Sequence, residues 1–366
     1  MRVLVVNTGS SSVKLSVVAD DDTVADRAEL PVEGGVLDRD GLRDALRGMP
    51  APDAVGHRVV HGGAAFTAPV RLDADARRRI ADLADLAPLH QPSSLAGIAA
   101  IDDALPGVPA VACFDTAFHA SLPEEAATYP IPEAWRRTYG IRRYGFHGLS
   151  HAYASRRAAG LLGRDRARRV VTAHLGAGAS LAAVLDGRSV DTTMGFTPLE
   201  GLAMATRSGS VDPGLVLWLT GHAGLSGDDV SDALEHGSGL VGLAGTGDMR
   251  EVLARDDRGD ADAALALGVY LHRLRAGIAG MAAALDGLDA LVFTGGVGEN
   301  APRVRAACAA GLGFLGVAVD RAANDAVTED ADVSAAGAAV ATLVVAARED
   351  LEIAAGVRTV LASAHT

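Results

Sequence analysis

The sequence predicts an α/β protein made of two related halves, each opening with a β-hairpin whose turn consists of small residues. An apolar strand at 3–6, a Gly/Ser turn at 7–12 and an alternating strand from Val13 indicate the first hairpin. Residues 170–187 repeat this plan. Between and after the hairpins, helical patterns alternate with short apolar strands, which is typical of α/β architecture.

The turn at 7–12 has the composition of a phosphate-binding turn. Glycine and serine allow backbone N–H groups to surround an anion, and the hydroxyls add donors. Lys14 follows the turn and is the only lysine among 33 Lys and Arg residues, which indicates a specific need for a mobile ammonium there. An ordinary N-terminal hairpin explains the same residues, and this segment alone does not separate the two interpretations.

The remaining elements follow from apolar periodicity. It predicts helices over 73–86, from Ser150 to about 162, from Pro213 onwards and over 261–285, and strands over 108–114, 289–294 and 342–347. The helix at Pro213 has Asp212 as its N-cap and proline at its first position. Three basic residues interrupt 261–285, so this segment is expected to be a buried helix with a polar stripe and not a membrane span.

Composition excludes several classes of function. The 366 residues suggest about two domains, and the net charge of -13 argues against a nucleic-acid partner, which would require a basic face. Cys113 and Cys308 form no CxxC pair, so neither a disulfide framework nor a zinc site is expected. The N-terminal residues do not have the pattern of a signal peptide, and the expected location is the cytoplasm, without a membrane partner.

Four segments each offer one charged or imidazole group on a turn that contains or borders glycine or other small residues. Arg58 lies in a strand-like run that ends in two glycines. Arginine binds carboxylates and phosphates through two parallel hydrogen bonds from its planar guanidinium. Asp115 ends an apolar strand, at the edge where open α/β sheets bind ligands. His147 and Arg207 lie in glycine-containing loops. Each is individually compatible with a structural role, but together they indicate an anion site.

Two glycine-containing segments have the character of nucleotide-binding loops. Residues 294–300 follow a strand and precede a helix, and 245–250 have a similar composition. Neither is followed by Gly-Lys-Ser/Thr, so neither is a P-loop.

Together these segments resemble the acetate kinase family, with its propionate and butyrate kinase relatives. The motifs cover nearly the whole chain in the family's order: Asn-x-Gly-Ser-Ser-Ser-x-Lys (7–14), Gly-His-Arg-Val-Val-His-Gly-Gly (56–63), Ala-Pro-Leu-His (87–90), Phe-Asp-Thr-Ala-Phe-His (114–119), Tyr-Gly-Phe-His-Gly (144–148), His-Leu-Gly-x-Gly-Ala-Ser (174–180), Gly-Phe-Thr-Pro-Leu-Glu-Gly (195–201), Thr-Arg-Ser-Gly (206–209), Asp-Met-Arg (248–250) and Gly-x-Gly-Glu-Asn (296–300).

The resemblance implies an α/β fold of the duplicated actin-like ATPase and sugar kinase type (ribonuclease H-like), with two βββαβαβα domains and a central cleft. The expected N-terminal domain is 1–116 plus 351–366, and the expected nucleotide-binding domain is 117–350. The implied activity is reversible, Mg-ATP-dependent phosphorylation of acetate to acetyl phosphate and ADP in a homodimer, with Mn²⁺ able to substitute for Mg²⁺.

The resemblance also implies roles for individual residues. The catalytic residues would be Arg58, Asp115, His147 and Arg207, and the metal ligands Asn7 and Glu349. Nucleotide would be bound by Lys14, His174, Leu175, Gly176, Ala177, Gly178, Asp248, Met249, Arg250, Gly296, Val297, Gly298, Glu299 and Asn300. The acetate pocket would consist of Arg58, Val60, Leu89, His90, Phe146 and Pro198. A carboxylate acceptor is ionised at pH 7, so we expect Asp115 to orient its neighbours and not to remove a proton.

Some positions depart from the family pattern, and alternatives to an acetate kinase stay open. Ala177 stands where asparagine is usual and Ser210 where aspartate is usual, which affects nucleotide affinity and choice. Leu149, Gln91 and Arg348 also differ, and 20–55 is short for the family. The alternatives are a propionate or butyrate kinase, a nucleotide-gated ATPase domain of the actin or chaperone type, and a weakly active paralogue.

Overall fold

The computed structural model describes residues 1–9, 12–33, 36–84 and 91–363. Contacts divide the chain into two units: unit 1 is Met1–Ala120, Phe146–Tyr153 and Arg348–Thr366, and unit 2 is Ser121–Gly145 and Ala154–Ala347. The expected domains, 1–116 with 351–366 and 117–350, differ from this division mainly at 146–153, which belongs to unit 1.

Unit 1 is built on a seven-stranded sheet in the order β4-β3-β2-β1-β5-β7-β6. Its strands are β1 (Val3–Thr8), β2 (Ser12–Val18), β3 (Val24–Glu33), β4 (Val36–Leu37), β5 (Ala54–Val59), β6 (Val70–Arg71) and β7 (Ala110–Phe114). β1 is antiparallel to β2 and parallel to β5, which in turn is parallel to β7. Its helices are α1 (Arg39–Gly48), α2 (Ala74–Ala81), α3 (Gln91–Ala104) and, at the end of the chain, α15 (Glu349–Ser363).

Two apolar clusters cover the two faces of this sheet. The larger contains Leu4, Val6 and Val59 with Leu42, Ile80 and Ile98 from α1 to α3, and the smaller contains Val3, Val5 and Val111 with Ile353 and Val357 from α15. Gly56 on β5 lies directly under α15, because a Cβ there would crowd Ile353 and Val357. The helix therefore rests on β5 and brings its N-terminal residue, Glu349, towards the end of that strand.

Unit 2 contains a six-stranded sheet in the order β10-β9-β8-β11-β13-β12. Its strands are β8 (Arg169–Leu175), β9 (Ala179–Leu185), β10 (Arg188–Thr192), β11 (Ala290–Thr294), β12 (Ala331–Asp332) and β13 (Ala341–Val344). Its helices are α4 (Glu124–Ala127), α5 (Glu133–Tyr139), α7 (Pro213–His222), α8 (Gly227–His236), α9 (Gly239–Ala244), α10 (Met249–Asp256), α11 (Ala261–Ala284), α12 (Gly295–Asn300), α13 (Pro302–Ala310) and α14 (Arg321–Ala326), while α6 (Gly148–Leu162) starts in unit 1 and continues into unit 2.

The two sheets share the same topology over five consecutive strands. In unit 1 the order is β3-β2-β1-β5-β7 and in unit 2 it is β10-β9-β8-β11-β13, each with an antiparallel meander followed by two parallel strands. The prediction of two halves, each opening with a β-hairpin, is confirmed, as is the duplicated α/β fold.

Several predicted element boundaries need correction. The helix expected over 73–86 is α2, which is capped by Asp73 and ends at Ala81, while 85 and 86 lie outside the described residues. The helix expected to be capped by Ser150 begins two residues earlier, at Gly148. The glycine-rich segment expected as a loop at 295–300 is the short helix α12, because Gly295 adopts a positive φ of 78° that lets the chain turn directly from β11 into a helix. The long helix α11 and the capped start of α7 are confirmed.

Among the residues described, none of the helices combines the length and the apolar character that crossing a bilayer requires.

Two buried histidines make unit 1 sensitive to acid. Burial lowers the pKa of His57 from 6.5 to about 3 and that of His119 to about 4. Because both pKa values are lower in the folded chain, the stability they contribute is present above pH 6.5 and is lost as the pH falls towards 4 and 3. We expect each histidine to lower the free energy of unfolding by about 1.4 kcal/mol per pH unit in this range.

Urea unfolding between pH 7 and pH 4.5 measures this effect. His57→Leu should reduce the slope of the free energy of unfolding against pH by the contribution of one histidine, about 1.4 kcal/mol per pH unit. His272 is exposed, so His272→Gln should leave this slope unchanged. An unaltered slope in His57→Leu would refute this assignment.

Candidate active site

A guanidinium at the end of β5 organises the candidate site in unit 1. Arg58 donates from Nε to Oδ1 of Asp115 at 3.1 Å and from Nη2 to Oδ2 at 2.5 Å, so the pair is bidentate. Its Nη1 donates to Oδ1 of Asn7 at 3.1 Å, and Oε2 of Glu349 lies 3.7 Å from Nε. These side chains meet because β1, β5 and β7 are parallel and end at the same edge of the sheet, where α15 begins.

Burial and charge act in opposite directions on this arginine. Burial alone would lower the pKa of Arg58, but the charges of Asp115 and Glu349 outweigh it and raise the pKa. The Asp115 side chain is only 1% exposed. The guanidinium is therefore permanently charged, and its orientation is fixed by a buried carboxylate.

The oxygen donors around Arg58 suit a magnesium ion. Asn7 supplies an amide oxygen and Glu349 a carboxylate, and hard oxygen ligands are what Mg²⁺ prefers. Within the described ranges, no cluster of three or more His, Cys, Asp or Glu side chains forms a dedicated metal cage. Mg²⁺ commonly uses one or two carboxylates together with substrate phosphates, so the donor set fits this ion.

Lys14 lies in the same row of the sheet as Asn7. The register pairs Lys14 with Asn7 on one side and with Glu29 on the other, so the three side chains share one face. The ammonium of Lys14 is exposed and 3.9 Å from Oε1 of Glu29. Lys14 is thus the cross-strand neighbour of Asn7 in the Arg58 cluster, but its ammonium forms an ion pair with Glu29 of β3.

The turn that carries Phe146 and His147 is attached to Asp115 through the backbone. Gly148 N donates to the Asp115 carbonyl at 3.0 Å, and a Cβ at Gly148 would overlap that carbonyl, so only glycine fits. His147 adopts a φ of 54°, a left-handed backbone conformation that is unfavourable for a non-glycine residue. His119 contacts the Phe146 carbonyl at 3.1 Å.

The expected acetate pocket is only partly described. Phe146 is buried and its ring meets the edge of His61, with 5.4 Å between centroids, while Val60 is half-buried after β5. Pro198 is half-buried in unit 2. Leu89 and His90 lie outside the described residues.

Arg207 in unit 2 is a cation without a carboxylate partner among the described residues. Its Nη1 donates to the Pro198 carbonyl at 3.5 Å. Burial lowers the pKa of Arg207, and the charge of Glu235 partly opposes this shift. A half-buried guanidinium with no direct ion pair among the described residues is suited to bind an anion.

Three glycine-containing segments of unit 2 line one cavity of about 450 Å³. They are the β8–β9 turn, the start of α10 and α12. The predicted residues among its lining are Gly176, Ala177, Asp248, Met249, Arg250, Gly296, Val297 and Asn300. Asp248 caps α10 by accepting from Arg250 N at 2.9 Å, and its hydrogen bonds with Arg250 lower its pKa to about 2.

The other predicted nucleotide residues do not line this cavity. His174, Leu175 and Gly178 belong to β8 or to the turn after it, and Gly298 and Glu299 have structural contacts. Glu299 Oε1 accepts from Ala347 N at 2.9 Å, and the carbonyls of Gly298 and Glu299 accept from the buried Arg305. The hydrogen bonds of Glu299 with Ala347 and of Arg305 with the two carbonyls hold α12 in place.

Sequence reasoning missed two residues of the cavity wall, Leu253 and Ala301, whereas Gly247 lies in the segment 245–250 that it had indicated as a nucleotide-binding loop. Leu253 lies one helical turn after Met249, so the helical spacing from a predicted residue was a usable signal. It also missed Arg305, whose only signal was its position five residues after Asn300.

Comparison with known proteins identifies the family of the chain. The model of the acetokinase family matches residues 43–355. The acetate kinase of Gloeobacter violaceus is 50% identical over 345 residues, which cover 91% of this chain and 85% of that protein. In structure, the chain is similar to Porphyromonas gingivalis acetate kinase (TM-score 0.91, 35% identity, 98% of this chain and 99% of that chain) and to a propionate kinase from Francisella tularensis (TM-score 0.90, 36% identity, 97% and 98%).

The family match covers most of the chain, and the arginine cluster and glycine-rich segments that carried the resemblance are assembled within the units. The chain is a kinase and belongs to the acetokinase family.

Proposed function

We propose that this protein is an acetate kinase, which transfers the γ-phosphoryl group of Mg-ATP to acetate and forms acetyl phosphate and ADP reversibly. The observation that carries the proposal is the Arg58 cluster, in which a guanidinium fixed by a buried carboxylate lies beside Asn7 and Glu349. A nucleotide-gated ATPase that uses only water as acceptor gives no reason for such a carboxylate-binding group.

Phosphoryl transfer requires positioning and stabilisation of charge more than acid–base chemistry. In the proposed step, an acetate oxygen forms a bond to the γ-phosphorus while the bond to the bridging oxygen breaks, and ADP leaves with that electron pair. The acetate carboxylate is already ionised at pH 7, so no base is needed. Arg58 orients the acetate and the transferring group, and Asp115 holds Arg58 in place.

Arg207 and His147 are proposed to stabilise the charge on the equatorial oxygens of the transferring group. Lys14 is proposed to bind nucleotide phosphate, and the cavity lined by the β8–β9 turn, α10 and α12 to bind the rest of ATP. Asn7 and Glu349 would hold Mg²⁺, or Mn²⁺ in its place. The ion supplies charge neutralisation on the phosphate oxygens when bound.

The proposed acceptor is tested by comparing acetate, propionate and butyrate with hydroxylamine present to trap the acyl phosphate. We expect kcat/KM to be highest for acetate, although one methylene in an apolar pocket changes the ratio only about 10- to 200-fold. A higher kcat/KM for propionate or butyrate would move the assignment to the corresponding kinase.

Ala177 offers a test of nucleotide binding. It lines the cavity and is exposed, so an amide side chain fits there. Ala177→Asn, which restores the residue usual in the family, is expected to lower KM for ATP about 2- to 10-fold through one added hydrogen bond. Steady-state kinetics with ATP varied measures this, and KM for acetate serves as the internal control. A raised KM for ATP would contradict the proposed role of this turn.

We further propose that the protein acts as a homodimer in the cytoplasm and that α7 contributes to the dimer interface. None of the ten residues of α7 is buried, although the helix contains Leu215, Leu217 and Trp218. Gly214 and Gly221 lie on the same side as Leu217 and Trp218, so this exposed apolar face also has small residues that allow a second helix to approach closely. The two buried free cysteines are compatible with a reducing compartment.

Leu217→Glu combined with Trp218→Glu is therefore expected to convert the dimer into monomers, because it places charges in an apolar contact. Light scattering after size exclusion at micromolar concentration measures the mass. Leu265→Glu, at a similarly exposed leucine of α11, is the matched control and should remain dimeric. An unchanged mass in the double variant would exclude α7 from the interface.

A further inference from the structure

Two motif segments of unit 2 are joined through their backbones. The N–H groups of Tyr144 and Gly145 both donate to the Gly195 carbonyl, at 3.0 and 3.2 Å. Tyr144 and Gly145 directly precede Phe146 and His147 in the chain, and Gly195 lies in the segment 193–200. The join therefore links two segments to which the proposed function assigns substrate contacts.

Three polar side chains, Tyr129, Arg143 and Glu200, secure this join. Tyr129 donates its hydroxyl proton to Oε2 of Glu200, and Arg143 Nη2 donates to Oε1 of the same carboxylate at 2.8 Å. The Arg143 guanidinium also lies over the Tyr129 ring, 5.4 Å from its centroid. Burial raises the pKa of Tyr129, and the hydrogen bond with Glu200 adds to this, so the phenol remains a proton donor at neutral pH.

The same three side chains hold the backbone of the segment at several points. Arg143 Nη1 donates to the carbonyls of Thr193 and Met194, at 3.2 and 3.1 Å. The Tyr129 hydroxyl accepts from Phe196 N at 2.9 Å, and Glu200 belongs to the segment itself. At Gly195 a Cβ would overlap both Glu200 and Tyr129, so the segment packs against them with no space for a side chain.

Pro198 lies within the part of the chain that these contacts enclose. Its carbonyl accepts from Arg207 Nη1 at 3.5 Å, which is the one hydrogen bond of that guanidinium among the described residues. The conformation of 193–200 thus determines the position of Pro198. It also determines the position of the carbonyl to which the Arg207 guanidinium donates. None of the three side chains lines the nucleotide cavity.

We propose that Tyr129, Arg143 and Glu200 are positioning residues that fix the segment 193–200 for the acceptor side of the reaction. This inference rests on the proposed function, in which Pro198 contacts the acceptor and Arg207 the transferring group. The effect of the three residues is indirect, because their contacts are with the backbone of the segment. Loss of one of these contacts should therefore make the segment 193–200 less well fixed and weaken acetate binding, while ATP binding stays intact.

The test uses two conservative variants of the full chain. Tyr129→Phe removes the hydroxyl that donates to Glu200 and accepts from Phe196 N but keeps the ring, and Glu200→Gln keeps the shape but removes the charge that Arg143 binds. We expect KM for acetate to rise about 10-fold and kcat to fall, because small displacements of positioning groups have large kinetic effects. KM and Kd for ATP should remain within twofold of wild type.

Tyr139→Phe is the matched control, because Tyr139 is 66% exposed. The double variant Tyr129→Phe/Glu200→Gln should cost less than the product of the two single effects, since both belong to one network. Unchanged KM for acetate in both variants would overturn the proposal, and so would a parallel loss of ATP binding, which indicates general loss of structure. If the wild-type enzyme makes no acyl phosphate with any acceptor, the proposed function itself fails, and that result is visible before any variant is compared.

Discussion

Replacing Arg58 by lysine is expected to lower kcat for acyl phosphate formation by about 10²- to 10³-fold. Arg58 makes a two-point contact with Asp115 and a third hydrogen bond to Asn7, which a single ammonium group cannot reproduce. Because Arg58→Lys retains the positive charge, the fall in kcat measures the loss of the hydrogen-bonding geometry of the guanidinium. Steady-state kinetics with both substrates saturating measures it.

Arg39→Lys is the control for this change, because Arg39 forms an exposed ion pair with Asp103 in the same unit. Its kcat should equal that of the wild type, in line with the small contribution of surface pairs. Activity of Arg58→Lys within threefold of wild type would remove Arg58 from the reaction.

Replacing Asp115 by asparagine is expected to affect both activity and stability. The change leaves a buried guanidinium with a neutral partner at its bidentate site, and breaking such a pair costs on the order of 3 kcal/mol in the free energy of unfolding. Because Arg58 loses its orientation, kcat should fall about 10²-fold. Urea unfolding and steady-state kinetics at pH 7 measure the two effects.

The pH–rate profile of this variant distinguishes orientation from proton transfer. If Asp115 orients Arg58, the profile of Asp115→Asn keeps the wild-type shape at a lower rate. If the wild-type profile contains an ionisation that the variant lacks, Asp115 acts as an acid or base and the account is wrong. Asp102→Asn, which breaks the more exposed pair with Arg77, is the control and should change neither rate nor profile.

The sequence was sufficient to predict the fold and the segments of the site because their signals are local. The apolar strand that ends at Asp115 predicted that this acid stands at an edge of the sheet, and the two glycines after the run that contains Arg58 predicted a turn there. The repeat of the opening hairpin predicted the duplicated sheets. Asp212 and Pro213 predicted the start of α7 because capping depends on adjacent residues.

What escaped prediction depends on contacts between distant parts of the chain. Tyr129 and Glu200 are 71 positions apart, and no local pattern relates them. Arg305 satisfies the carbonyls of α12 only because the chain turns back after Asn300. The side chain of Lys14 pairs with β3, which depends on the register of a strand whose sequence is weakly patterned.

The most direct test of the central claim is the stoichiometry of products from Mg-ATP in the presence of hydroxylamine, with and without acetate. We predict one acyl hydroxamate for each ADP with acetate and almost no ADP without it. ADP released at the same rate with and without acetate, and no hydroxamate, would contradict the claim and identify the chain as an ATPase built on the same fold.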